Sequence, residues 1–196
     1  MQLSREQWLT EISDLMLADL FLPVGLTIRS DLKLKLSVGF PPGVRANSRV
    51  VACCFPSSAS SEGYSEIFIS PVIDDSLEVL TCLVHEICHA IDDNKGGHKG
   101  MFAMLAQGVG LMRPFASAHA SPELNEFLQS YIDMFGDIPH ASIDYTARKQ
   151  QSNRQLKVWC ECGFKFNTSR LQIEKCVSIH GGIMCPCCTN FMKFDI

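Results

Sequence analysis

The chain opens on a helical pattern. Trp8, Ile12, Leu15 and Met16 recur three to four residues apart behind Ser4-Arg5-Glu6-Gln7, where a serine followed three residues later by glutamine makes a capping box. This predicts a first helix running to about Asp19 and broken at Pro23 and Gly25. Alternation then replaces the helical period. Lys33–Val38 reads KLKLSV, a half-buried strand, and Arg49–Phe55 (RVVACCF) and Glu66–Ser70 (EIFIS) are two more. Phe40-Pro41-Pro42-Gly43 and the serine- and glycine-rich stretch 56–63 separate them. Asp74-Asp75-Ser76 caps a helix with the apolar stripe Leu77, Leu80, Val84, Ile87 and Ile91, which Asn94–Gly97 ends. Phe102, Leu105, Ala106 and Val109 mark a helix within Lys99–Leu111, and Ser121-Pro122-Glu123 opens another that ends near Gly136. Helix, three strands, then helices predicts an α+β fold with a small three-stranded antiparallel sheet.

Beyond this point the pattern thins. Residues 141–156 are polar and basic and read as a linker between a domain at 1–140 and a terminal module at 157–196. In that module two short β-prone pieces, Lys157–Trp159 and Phe164–Asn167, lie between cysteine pairs.

Composition narrows the class. With 46% hydrophobic and 19% charged residues in 196, the chain can bury a core and is not generally disordered. No apolar run approaches the roughly 18–20 residues of a membrane helix. MQLSREQWLT has neither the basic region nor the apolar region of a secretory signal. The expectation is a cytoplasmic protein without a membrane partner. Ten cysteines then point to metal rather than disulfides, and six of them fall in the last 37 residues. The net charge of −4 is uneven: residues 146–196 carry eight cations against three carboxylates, or +5, which leaves −9 for the rest. A basic tail on an acidic body points to an anionic partner for the tail.

His85-Glu86-Ile87-Cys88-His89 is HExxH within a predicted helix. Residues four apart share a helix face, so both imidazoles can grip one Zn²⁺, and Glu86 reaches a water on that metal as general base. Such zinc lowers the pKa of its water to about 7 and leaves a nucleophile for a peptide carbonyl. A third ligand is required. The metzincin pattern wants a histidine where this chain has Lys95. A glutamate from a later helix fails too, because no acidic residue follows Asp93 until Glu123 at a helix start. His98 is the better candidate, since it follows a glycine turn that lets the chain double back. Cys88 on the same helix reads as a small core residue.

Trp159-Cys160-Glu161-Cys162-Gly163 and Met184-Cys185-Pro186-Cys187-Cys188 look like two zinc knuckles about 20 residues apart, a zinc ribbon with one structural Zn²⁺. Cys160, Cys162 and Cys185 are three ligands. The fourth stays open between Cys188 and Cys187, with Cys176 and His180 as substitutes. Phe164, Lys165, Phe166, Arg170 and Lys175 interleave aromatic and basic groups, which fits single-stranded nucleic acid, while a ribbon core with solvated lysines is the simpler expectation.

The segment EIFISPVIDDSLEVLTCLVHEICHAIDDNKGGHKGMFAMLAQGVGL resembles the SprT-like zinc metalloprotease domain, in its compact phage and actinobacterial form. The likeness runs along nearly the whole chain: the first helix, LKLSVGFP, FISP, GHKGMF, SPEL, GDIPHASID, a basic connector and a terminal zinc ribbon. The first knuckle departs from the family in being CxC rather than CxxC. The resemblance implies His85, His89 and His98 as ligands of a catalytic zinc and Glu86 as general base. It implies a protein or peptide substrate, a link to DNA through the basic C-terminal module, and cleavage of DNA-crosslinked proteins, hence a nucleoid-associated location. Two roles fit Glu66–Ser70 equally well, a sheet edge that takes up a substrate strand or a strand that is only structural. His140, in PHAS, recurs in the family, and a structural role is the simpler expectation. The rival reading is a non-catalytic zinc-binding adaptor for nucleic acid or the transcription machinery.

Overall fold

The computed structural model describes residues 3–41, 50–147 and 155–195. The chain divides into two units, Met1–Ala147 and Arg148–Ile196.

In the first unit, α1 (Arg5–Met16) starts from the expected capping box: Gln7 N–H donates to Ser4 Oγ at 3.2 Å, and Ser4 N–H donates to the Gln7 side chain at 2.9 Å. The helix does not stop at Asp19. A wide turn at Leu17–Phe21 and a tight one at Leu22–Val24 carry it to Gly25, whose φ of 75° ends it. Three strands follow, β1 (Leu34–Val38), β2 (Ala52–Phe55) and β3 (Ser65–Ile69). Arg49, Pro42 and Gly43 lie outside the described residues.

The sheet order is β1-β3-β2. β2 runs antiparallel to β3, with Ala52 opposite Ile69, but β1 runs parallel to it, with Leu36 opposite Ile67. The antiparallel sheet expected from sequence is therefore a mixed one. The chain reaches β3 only after passing through β2, and that return brings it back in the direction of β1. Consequently β3 is central, and Glu66–Ser70 is not the free edge that a substrate strand would need.

One face of the sheet is buried under helices. Leu36, Ile67 and Ile69 pack in one core with Trp8, Ile12 and Met16 of α1 and with the apolar side of α2 (Ser76–Asp92). The opposite face carries Lys35, Glu66 and the edge-to-face pair Phe55–Phe68, 5.9 Å between ring centres. Asp75 caps α2, accepting from Glu78 N–H at 2.8 Å. Residues 79–91 of α2 are all buried. α3 (Gly100–Gly108) and α4 (Pro122–Phe135) complete the unit, the latter capped by Ser121, which accepts from Leu124 N–H at 3.2 Å.

Past α4 the chain stays with the first unit. Ser142 N–H donates to Asp74 at 3.0 Å, and Ile143 N–H donates to the Pro71 carbonyl at 2.8 Å. His140 Nε2 also meets that carbonyl, at 3.0 Å. Of the expected linker at 141–156, residues 141–147 belong to the first unit and β4 begins at Gln155. Residues 148–154 lie outside the described residues.

The second unit is an antiparallel sheet in the order β5-β4-β6, from β4 (Gln155–Trp159), β5 (Lys165–Ser169) and β6 (Lys193–Phe194). Its described core is small: Val158, Cys160, Ile173, Cys185 and Met192. Between β5 and the second cysteine pair stands α5 (Arg170–His180), which the sequence pattern does not announce because Ile173 is its one buried residue. Its punctuation was legible nonetheless: Ser169 caps it through Gln172 N–H at 3.3 Å, and Gly181 ends it at φ 73°.

Candidate metal centres

The first centre is built by the buried helix and the turn after it. His85 and His89 lie one turn apart on α2, and His98 returns from the turn so that the three ring nitrogens lie within 4.8 Å of one another. His98 Nε2 is 3.3 Å from His85 Nε2 and 3.3 Å from His89 Nε2. A tetrahedral ion with Zn–N bonds of about 2.0–2.1 Å sets its ligands about 3.3–3.4 Å apart. Both distances from His98 therefore match the edges of such a tetrahedron. Phe102 of α3 is fully buried beneath them, its ring centre 5.0, 4.2 and 5.1 Å from those of His85, His89 and His98.

The turn that returns His98 has a specific backbone chemistry. Asp93 and Asn94 adopt φ of 52° and 58°, and Gly97 and Gly100 follow at 55° and 56°. Gly96 allows a close approach: a Cβ there would sit 2.8 Å from the Lys99 carbonyl oxygen. Gly96 N–H donates to the Asp92 carboxylate at 2.6 Å, which locks the turn to the last residue of α2.

Burial lowers the pKa of His85 to about 4 and of His89 to about 3, and the neighbouring rings add to it. Both are then neutral ligands at physiological pH. His89 Nδ1 is buried without a hydrogen-bond partner among the described residues. Glu86 is 5% exposed and has no hydrogen-bond or ion-pair partner among the described residues. Burial pushes its carboxyl up to about 8, a shift that a cation at the imidazole nitrogens opposes.

All four residues open into one cavity of about 660 Å³. One wall is Val50–Cys54, along β2; another is Ala116–Ala118, from the loop after α3. That loop is closed at its neck by a bridge between Leu111 and Ala120, and Phe115 anchors it 6.3 Å from the Phe102 ring. Cys53, Cys54 and Cys82 also line the cavity, and burial holds their thiols above the usual range, followed by the charge of Glu86 for Cys53 and Cys54 and of Glu78 and then Glu86 for Cys82. They are protonated wall residues. Cys88 is fully buried in the core, as expected.

The second centre lies in the second unit. The sulfurs of Cys160, Cys162, Cys185 and Cys188 lie within 4.8 Å of one another. Cys160 and Cys188 are 3.3 Å apart, Cys162 and Cys185 3.5 Å, close to the about 3.8 Å that Zn–S bonds of about 2.3 Å imply. The shortened CxC knuckle still delivers both thiols, because Gly163 at φ 93° turns the chain and Cys160 N–H donates to the Phe164 carbonyl at 2.8 Å. Burial raises the Cys185 thiol, but the N–H groups of Cys187 and Cys188 and the neighbouring thiols outweigh it and bring it down to about 6. Cys188 completes the set. Cys187 is exposed and offers its backbone N–H to Cys185 Sγ at 3.4 Å, and Cys176 and His180 stand on α5 outside the cluster.

Of the two roles open to the aromatic–basic run, its aromatics take the simpler one, in the core. Phe164 and Phe166 pack against the small core. Register instead brings Trp159 to the other face of the sheet, opposite Lys165 on one side and Lys193 on the other, with Lys157 two residues along. The β4 period carries this signal, since Lys157 and Trp159 alternate with the buried Val158.

Comparison with protein-family models, curated proteins and solved structures finds no match. The donor sets themselves are informative: three imidazoles beside a carboxylate, and four thiols, are both sets that bind transition metals.

Proposed function

We propose that this chain is a zinc-dependent metallopeptidase of SprT-like type, whose second unit is a structural zinc ribbon that contacts single-stranded nucleic acid. The observation that carries the reading is Glu86, a buried carboxylate without a partner among the described residues, beside three convergent imidazoles in an open cavity. A site that only held a metal for structure would gain nothing from it, and its burial would be a cost. His85, His89 and His98 would hold the ion, and bound zinc supplies Lewis acidity toward a carbonyl and water. Glu86 takes the proton of the attacking water and passes it to the leaving amine.

The test is cleavage of a denatured protein and of a DNA-bound protein by the zinc-loaded chain. Glu86→Gln should cut the rate by about 10²–10⁴ with zinc content unchanged. No cleavage of either substrate by the zinc-loaded wild type overturns the reading.

The non-catalytic adaptor reading has its own support in the basic sheet face. Trp159 offers a stacking surface, and Lys157, Lys165 and Lys193 surround it, although Glu161 already holds Lys193 at 2.7 Å. Oligothymidine should quench Trp159 fluorescence, with affinity falling steeply as salt rises. The second tryptophan, Trp8, is 1% exposed and should not respond. Binding without proteolysis would favour the adaptor. A flat salt response would remove the nucleic-acid contact from either reading.

A further inference from the structure

The edge of β2 that faces the cavity is not uniform. Ser70 N–H donates to the Val51 carbonyl at 2.7 Å. These two residues stand opposite each other in the register that pairs Ala52 with Ile69 and Cys53 with Phe68. In an antiparallel ladder every second residue turns both backbone groups to its partner. Val51, Cys53 and Phe55 thus face β3, while Ala52 and Cys54 turn theirs outward. One of those outward groups is taken: the Asn94 side-chain amide donates to the Cys54 carbonyl. The Ala52 N–H, the Ala52 carbonyl and the Cys54 N–H have no partner among the described residues.

Asn94 is held in place for this contact. It follows Asp93 at the end of the ligand helix, both at positive φ. Asp93 Oδ1 accepts from Ser57 N–H at 2.9 Å and pairs with Arg29 Nη1 at 3.2 Å. Arg29 in turn donates to Ser57 Oγ at 3.1 Å and Ser65 Oγ at 2.9 Å. The last turn of the helix that carries His85 and His89 is thereby fastened to the end of β2 and the start of β3. Asn94 lines the same cavity as the three histidines and residues 50–54.

We propose that Asn94 is a positioning residue that sets the register of an extended peptide on β2. It occupies the acceptor where the next backbone donor of such a peptide would bind, and so ends the usable ladder at Cys54. A strand slips by two residues when it keeps its faces, so a freed Cys54 carbonyl opens a second register two residues along. This inference rests on the peptidase reading.

The experiment uses the full zinc-loaded chain carrying Glu86→Gln, with and without Asn94→Gly, and a labelled ten-residue peptide of a cleaved sequence or, if none is cleaved, of alternating valine and serine. Single N-methyl groups along the peptide delete one N–H each, and binding is read by fluorescence anisotropy. Glycine tolerates the positive φ, and melting temperature and zinc content report the fold; Asn94→Asp, which repels the carbonyl at constant size, serves as second variant. The expected pattern with Asn94 is about tenfold weakening at one set of alternating positions. Without Asn94 the sensitive set extends or moves by two residues, and in the Glu86-containing enzyme the cleavage products move with it. An unchanged methylation pattern and unchanged products overturn the proposal, as does the absence of any peptide binding. A pattern that shifts in a chain that never cleaves supports the role of Asn94 and refutes the peptidase reading alone.

Discussion

In the first unit two of the three candidate ligands, His85 and His89, sit on a helix buried along residues 79–91, within a core that runs from Trp8 to Ile138. In the second, the described core is five residues, and two of them, Cys160 and Cys185, are themselves candidate ligands. The first centre is held by its fold. A metal at the second would hold its fold, because so small a core cannot offset the entropy of ordering some forty residues. The difference extends to chemistry. Four thiols close a coordination sphere, whereas three imidazoles leave one position open onto a cavity that already contains Glu86.

Chelation tests this contrast most strongly. Removing metal should abolish amide exchange protection in the second unit, a loss on the order of 10 kcal/mol for a structural zinc, while the first unit keeps its protection. Persistent protection in β4 and β5 after zinc is gone would break the comparison. Phe102→Ala should come next, costing the first unit about 3–5 kcal/mol by chemical denaturation and weakening its metal centre, since all three rings rest on that side chain. Zinc affinity unchanged in a destabilised variant would show that the rings do not depend on their floor. His98→Ala should be gentler. His98 is exposed, so we expect stability within about 0.5 kcal/mol of wild type, yet one zinc fewer per chain by mass spectrometry. Retention of both zincs would remove His98 from the ligand set. The smallest effect belongs to Cys187→Ser, which should leave zinc content and melting temperature as they are, while Cys188→Ser loses the ribbon metal. The reverse outcome would exchange the two residues.

What the sequence disclosed follows from what is local. The capping box at Ser4, the Asp75 cap and the apolar stripe of α2 are near-neighbour signals, and each is found where its residues stand. HExxH is local in the same sense, and the glycines around residue 97 announce the return of His98. Strand order is not local. Alternation in β1 and β3 tells which face is buried but not which strand lies beside which, and so the parallel β1–β3 pairing and the central place of β3 stayed hidden. The two readings of Phe164 and Phe166 are separated only by register, for a related reason. Phe164 and Phe166 look like exposed aromatics among lysines until register assigns them to the inner face and Trp159 to the outer one. α5 escaped because a helix with one buried residue carries almost no period.

The three imidazoles come from fourteen consecutive residues, 85–98, whereas the cavity walls come from residues 50–54 and 116–118. Short-range contacts form before long-range ones during folding, because the loops they close are smaller. The imidazole triad therefore closes over a short stretch of chain, while the cavity walls close over long ones. A change confined to residues 50–54 or 116–118 can alter the cavity entrance and leave all three imidazoles at their places in the chain.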